Sequence, residues 1–533
     1  MRQILFILLI SGTTAFSQFD KGVFGPDIVL SKEVQFINEN DLETGPQSQE
    51  YYPRYQHVKT SAAGFFFLVK IRGEFKVVLI NRNLALERVY NLEIGVNLSM
   101  VNLLQIEVTD KFIHFVSAAR EASMPKKSMG IYAQDFEFKT QEWTSPRLLQ
   151  NVTRKEIADL SVHYKRNDSL VAICNLEKNE LIVQDQNANL IYTDNELRPQ
   201  DDKLKELHVK SVEFGVSAEL YVLFEERIQE YNPQTNVLKR SDCIALAAYD
   251  EEGGKIERFE REKDKTYVNA MLSHVNGSWD LFYQWLDRSD RNNTGLARIH
   301  GANMKRDQLI KFDVDTDELF LERRGKQLSD LRKVYNYASN DQFNAYFTPI
   351  FVEERANELI LLIQKETPIK VDFGNSNTGT STKGASGLPT DGFLDNSMNK
   401  FTAVGDLFLI KLDAEMNVKE KKKIEREPLL EFEHENYYFL QNEKHLRIFN
   451  FGRLKNQTIA DPLFYGRPTV LNQLDFDLIN YTVSSTQTAI HNNDIPIKLM
   501  LGNTIVEGEN IYILGARAGH ENLAKFKLEL KSQ

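Results

Sequence analysis

Apolar runs of four to nine residues, rich in Val, Ile, Phe, Tyr and Leu, alternate along the chain with clusters of Asn, Asp, Gly, Lys and Glu. That rhythm predicts strands joined by tight turns. The clearest stretch runs through 65–71 (FFFLVKI), 76–80 (KVVLI), the turn Asn81-Arg82-Asn83 and 84–94 (LALERVYNLEI). The same order returns at 112–118, 130–138 and 142–149, and again at 170–174, 181–184 and 190–193. It returns at 220–224, 244–249 and 255–259, with further copies starting near Trp279, Leu359, His445 and Ile511. The helix signal is confined to 316–334, after a Thr or Asp cap and weakened by Gly325.

Starts spaced by roughly 45 to 90 residues suit four-stranded units with variable connections. Counting gives seven complete units and an eighth one strand short, while 27–36 (DIVLSKEVQF) is a strand left over ahead of the first. Within a unit the early strands are continuously apolar and the last is charged, as in 418–426 (VKEKKKIER). Strands covered on both faces read as unbroken apolar runs, and an edge strand in water carries charge. These units resemble the blades of the secreted β-propeller superfamily. The resemblance spans most of the chain and rests on rhythm, with no diagnostic motif for a particular family. It implies an all-β fold over 18–533, a single large propeller of eight blades with seven as the alternative, its N-terminal strand closing the last blade. Two separate β-sandwich domains are the structural rival. Insertions are expected at about 367–404, around the Gly-, Ser- and Thr-rich 374–399, and at 451–469, which holds Pro462, Tyr465, Gly466 and Pro468.

The first residues predict export. Arg2 supplies a positive charge, 4–10 (ILFILLI) is apolar, and Ala15-Phe16-Ser17 places small residues for cleavage before Gln18. The apolar run is too short to span a bilayer. A signal peptide at 1–17, a periplasmic, extracellular or cell-surface location, and no membrane insertion are the expectations. At 42% apolar residues the chain has material for a large core. Its net charge of −11 argues against nucleic acid, which needs a concentrated positive face.

No arrangement of residues amounts to a recognisable active site. The G-x-S-x-G elbow is missing, since Gly215-Val216-Ser217 is followed by Ala218-Glu219. The ten histidines are scattered, and His434-Glu435 meets Tyr438 where a zinc motif needs a second His. Asp313, Asp315 and Asp317 begin like a calcium loop that Glu318 and Arg324 then break. The repeat signatures of sialidase-like, WD-type and kelch-type propellers do not recur. Neither cofactor nor metal is expected. Cys174 and Cys243 lie in apolar strands and read as two buried thiols, with one disulfide as the alternative. Asp168-Ser169-Leu170 matches a short O-glycosylation acceptor pattern too weakly to build on.

Aromatic clusters remain as candidate binding residues: Tyr51, Tyr52, Arg54 and Tyr55 ahead of the first unit, and Trp279 and Trp285 on one strand. Aromatics beside Arg are what binding hot spots and sugar platforms use, though aromatics also pack between sheets. The functional expectation is a non-catalytic binding or scaffolding protein that engages a protein or a glycan in the bacterial cell envelope. The alternative is a carbohydrate-active hydrolase or lyase with its site in a central funnel.

Overall fold

The computed structural model describes residues 24–37, 56–71, 74–83, 85–92, 98–198, 207–226, 240–287, 289, 293–313, 346–355, 358–370, 400–424, 429–431, 437–441, 444–452, 470–489, 497–507, 510–517 and 520–530. Most of them are strand. After β1 (Phe24–Ile37) come β2 (Gln56–Thr60), β3 (Gly64–Ile71), β4 (Glu74–Asn81) and β5 (Leu86–Asn91), the first sheet. The second holds β6 (Leu98–Val108), β7 (Phe112–Glu121), β8 (Ser128–Glu137), the short β9 (Glu142–Trp143) and β10 (Arg147–Thr153). A 3-10 turn at Glu156–Asp159 leads to the third: β11 (Leu160–Tyr164), β12 (Leu170–Asn175), β13 (Glu180–Asp185) and β14 (Leu190–Asp194).

Then follow β15 (Leu207–Phe214), β16 (Leu220–Glu226), β17 (Arg240–Ser241), β18 (Ile244–Tyr249) and β19 (Lys255–Glu260). All but β17 form the fourth sheet; β17 instead joins the edge of the fifth, made of β20 (Lys265–Val275), β21 (Ser278–Asp287), β22 (Asn293–Ile299) and β23 (Arg306–Asp313). The sixth contains β24 (Tyr346–Arg355), β25 (Glu358–Lys370), β26 (Lys400–Asp413), β27 (Val418–Ile424) and β28 (Leu429–Glu431). The seventh is β29 (Tyr437–Gln441), β30 (His445–Gly452), β31 (Val470–Asp477) and β32 (Thr482–Ala489). The eighth is β33 (Ile497–Glu507), β34 (Asn510–Arg517) and β35 (His520–Leu530), to which β1 adds a fourth strand. That addition runs antiparallel from Phe24↔Leu530 to Ile37↔Glu521.

Contacts divide the chain into two units, 1–197 with 434–454 and 467–533, and 198–433 with 455–466. The first unit contains the first, second, third, seventh and eighth sheets. Phe66, Leu68, Val77 and Leu79 of the first sheet form one core with Phe115, Phe136 and Phe138 of the second. On the other face of the second sheet, Val116, Ile131 and Ala133 join Val162, Val171 and Ile173 of the third. The second and third strands are therefore covered on both faces, as the unbroken burial of β8 between its two end residues shows. In the second unit Phe282, Leu296 and Phe312 of the fifth sheet pack on Phe347, Leu359, Leu361, Phe408 and Ile410 of the sixth. Within each unit, first strands of consecutive sheets lie side by side: β6 with β11, β29 with β33, and β33 with β2 in one, β15 with β20 and β20 with β24 in the other. At the opposite edge β5 and β27 are exposed along most of their length.

A repeated turn sets the spacing between third and fourth strands. Asp185 Oδ1 accepts the amides of Asn187 and Asn189 at 2.8 Å each. Asp250, Asp413, Asp477 and Asn81 use the same side-chain oxygen on the amides that follow them. Such a side chain copies a backbone turn and fixes the hairpin. Asp185 thus belongs to its turn.

Two expectations are revised. The ladder between β25 and β26 continues past a bulge at 364–366 to Lys370↔Lys400, so both ends of the expected 367–404 insertion are strand. Likewise β30 reaches Gly452 and β31 begins at Val470, which narrows the second insertion. The segments 371–399 and 453–469, the helix signal at 316–334, and the expected signal peptide at 1–17 lie outside the described residues.

Candidate functional site

Of the six aromatic and arginine candidates, Tyr51, Tyr52, Arg54 and Tyr55 lie outside the described residues. Trp279 and Trp285 are core, at 3% and 4% exposure. Both sit on β21, an interior strand of the fifth sheet, and their indole N–H groups are committed. Trp279 donates to the Phe214 carbonyl at 2.8 Å, and Trp285 to Gln308 Oε1 at 3.0 Å. A Trp buried on both ring faces with its N–H paired is a packing residue and offers no platform.

Cys174 and Cys243 are both buried and form no disulfide, so the disulfide alternative falls away. Burial pushes the Cys174 thiol up to about 12, against a weaker opposing hydrogen bond from Ser161. The expected result is that an excess of a thiol-reactive dye leaves Cys174 unmodified in the native protein and labels it on unfolding. Labelling of native protein at the unfolded rate would refute this.

Ionisable side chains gather at three comparable places. His114 is the third residue of β7, and it faces Asp135, its cross-strand partner on β8. Its Nδ1 lies 2.8 Å from Asp135 Oδ1, and its Nε2 lies 2.6 Å from Asp168 Oδ1 in the turn between β11 and β12. Thr109 donates its hydroxyl to the same Asp168 oxygen. The Tyr164 ring stacks on the imidazole at 3.6 Å and 2°. Asp280 is the third residue of β21. Its Oδ2 accepts from Arg298 Nε at 2.6 Å, while Arg298 Nη2 reaches Glu354 Oε2 on β24 of the sixth sheet at 2.7 Å. Asp280 Oδ1 takes the Gly301 amide at 2.9 Å, and His300 bridges on to Asp307 at 2.5 Å. Arg447, third in β30, pairs with Asp475 opposite it on β31. In each case the charge sits at the start of an otherwise apolar second strand, and in the first two it ties one sheet to the next.

Two further groups have the types used in catalysis. His163 Nε2 is 3.1 Å from Ser161 Oγ on the same face of β11. Burial holds His163 neutral, pushed down to about 4, but among the described residues no carboxylate orients its Nδ1. Glu107 on β6 accepts the Tyr164 amide at 3.1 Å, and burial pushes its carboxyl up to about 7. Among the described residues no three His, Cys, Asp or Glu side chains are set to hold a metal ion. No described helix is long and apolar enough to cross a membrane.

The sheets define the class, an all-β protein of repeated, mostly four-stranded antiparallel units. No protein-family model matches the chain, and no curated protein does. Among solved structures it is similar to the Nup133 β-propeller domain of Vanderwaltozyma polyspora, at 9% identity over 80% of this chain and 100% of that one, with a TM-score of 0.31. It is also similar to the polysaccharide lyase Uly1, at 8% identity over 95% of this chain and 100% of that one, TM-score 0.35. Oligopeptidase B from Leishmania major matches at 8% identity over 86% of this chain and 53% of that one, TM-score 0.35. Scores of that size are lower than those of pairs that share a fold.

Proposed function

We propose that the chain is an exported, non-catalytic binding or scaffolding module. In this reading it is an eight-bladed β-propeller closed by its N-terminal strand, and it engages a protein or a glycan in the bacterial cell envelope through loops on one face. Eight sheets, neighbouring first strands and the β1–β35 pairing support the architecture. The observation that carries the function is the use to which buried charge is put. His114, Asp135, Asp168, Asp280 and Arg298 are all consumed in ties between strands and sheets, whereas an active site keeps such groups convergent on a substrate. One observation favours the alternative of a carbohydrate-active hydrolase or lyase. Glu107 lies on a first strand, the edge a propeller turns to its axis, with its carboxyl raised to about 7 as a general acid requires.

Purified protein would be tested on a glycan array and by crosslinking in native envelope, with release of sugar ends from envelope polysaccharide measured in parallel. Saturable, competable binding without release, unchanged in Glu107→Gln, supports the module. Release that Glu107→Gln abolishes overturns it in favour of the enzyme.

A further inference from the structure

We propose that His114 is a pH-operated latch, a doubly protonated imidazole that holds the second sheet to the third and lets go when it loses a proton. The geometry requires both ring protons. Nδ1 and Nε2 each face a carboxylate oxygen, on Asp135 of β8 and on Asp168 of the β11–β12 turn, at 2.8 and 2.6 Å. A carboxylate accepts only, so each nitrogen must donate, and a neutral imidazole has one N–H to give. His114 and Asp168 are 2% and 4% exposed, so water cannot replace a lost bond cheaply.

The groups facing the latch come from every neighbouring element. Thr109 and Glu107 approach from β6 and its turn, and Tyr164 stacks from β11. Lys59 of β2 reaches the Asp110 carbonyl and feels Asp168. Arg166 Nε pairs with Asp110 at 3.1 Å, and the Asp110 amide donates to the Arg166 carbonyl at 2.9 Å. That last bond joins the two sheets directly, and its proton reports whether the junction is open.

Burial alone would lower the His114 pKa; the hydrogen bonds and charges of Asp135 and Asp168 outweigh it and hold it above the ordinary 6.5. A group raised on folding stabilises fully below its unfolded pKa, and that contribution is lost as pH climbs through the folded value. Above that point the proton has gone to solvent and one of the two carboxylates has lost its imidazole donor. Asp135 and Asp168 then repel across the site, and the turn at 165–169 is pushed from β7. Glu107 titrates on its own account, its carboxyl raised by burial from the ordinary 4.5 to about 7.

Hydrogen exchange of the full chain tests this at the Asp110 amide, corrected for intrinsic rate, from about pH 6 to about pH 10. Wild type is expected to lose about tenfold or more of its protection as pH rises above the ordinary 6.5. Asp168→Asn lets a neutral imidazole accept from the amide, so protection should persist to high pH; Asn also tolerates the positive φ of 63° at this position. His114→Gln cannot bridge both partners and should exchange fast throughout. Glu107→Gln should leave the step in place. Constant wild-type protection, or an unchanged step in Asp168→Asn, overturns the latch even if His114→Gln fails to fold.

Discussion

Trp279→Ala is expected to destabilise the second unit by about 3–5 kcal/mol, the cost of deleting a large buried aromatic. The side chain is 3% exposed, and its N–H satisfies the Phe214 carbonyl at the end of β15. Removing the ring therefore opens a cavity between the fourth and fifth sheets and strands that carbonyl without a donor. His274, edge-on to the indole with ring centroids 5.4 Å apart, also loses its neighbour. Tyr221 and the Trp279 carbonyl both crowd Gly301, so the backbone around the void has little room to settle inward. Denaturant unfolding followed by far-ultraviolet circular dichroism measures the loss, with Trp279→Phe expected to recover part of it. A loss below about 1 kcal/mol with weakened glycan or protein binding would restore Trp279 as a surface platform.

That Trp shows where sequence reading succeeds here and where it stops. Strands covered on both faces announce themselves, because both sets of alternating side chains must be apolar; FFFLVKI falls inside β3 and KVVLI inside β4. The same rule hides the first strands. β6 and β11 carry Gln105, Glu107, Ser161 and His163 on half-buried positions, so their pattern is diluted below recognition. Hairpins closing on Asp185 and Asp250 were legible from Asp and Asn or Gly spacing, and Asp413 and Asp477 repeat that signal. The charged ties were not legible. Asp168 follows His114 by 54 positions and Glu354 follows Arg298 by 56, so only the folded sheets bring them together. A trace was present all the same: a lone charge at the third place of an apolar strand, as in Phe-Ile-His114, Ser-Trp-Asp280 and His-Leu-Arg447. Crowded aromatics, by contrast, mark a thick core as readily as a binding face, and on β21 they mark the core.

Arg298→Met is expected to cost about 3–5 kcal/mol, the penalty for removing one partner of a buried ion pair. The guanidinium holds Asp280 through Nε and Nη2 and reaches the sixth sheet through Glu354, all at 3% exposure of its own side chain. Methionine fills much of the volume but leaves the Asp280 carboxylate, 2% exposed, with the imidazole nitrogen His300 Nδ1 near it, at 3.6 Å. The charge would still accept the Gly301 amide and the Ser278 hydroxyl, which limits the loss. Adding Asp280→Asn removes the stranded charge while keeping an oxygen for Gly301, so the double variant should be more stable than the two single effects summed. A coupling of about 1–3 kcal/mol is expected for groups in direct contact. Additive effects, or a single-variant loss under about 1 kcal/mol, would mean that the tie contributes little and that van der Waals packing of Phe282, Phe312 and Phe347 alone joins the fifth sheet to the sixth.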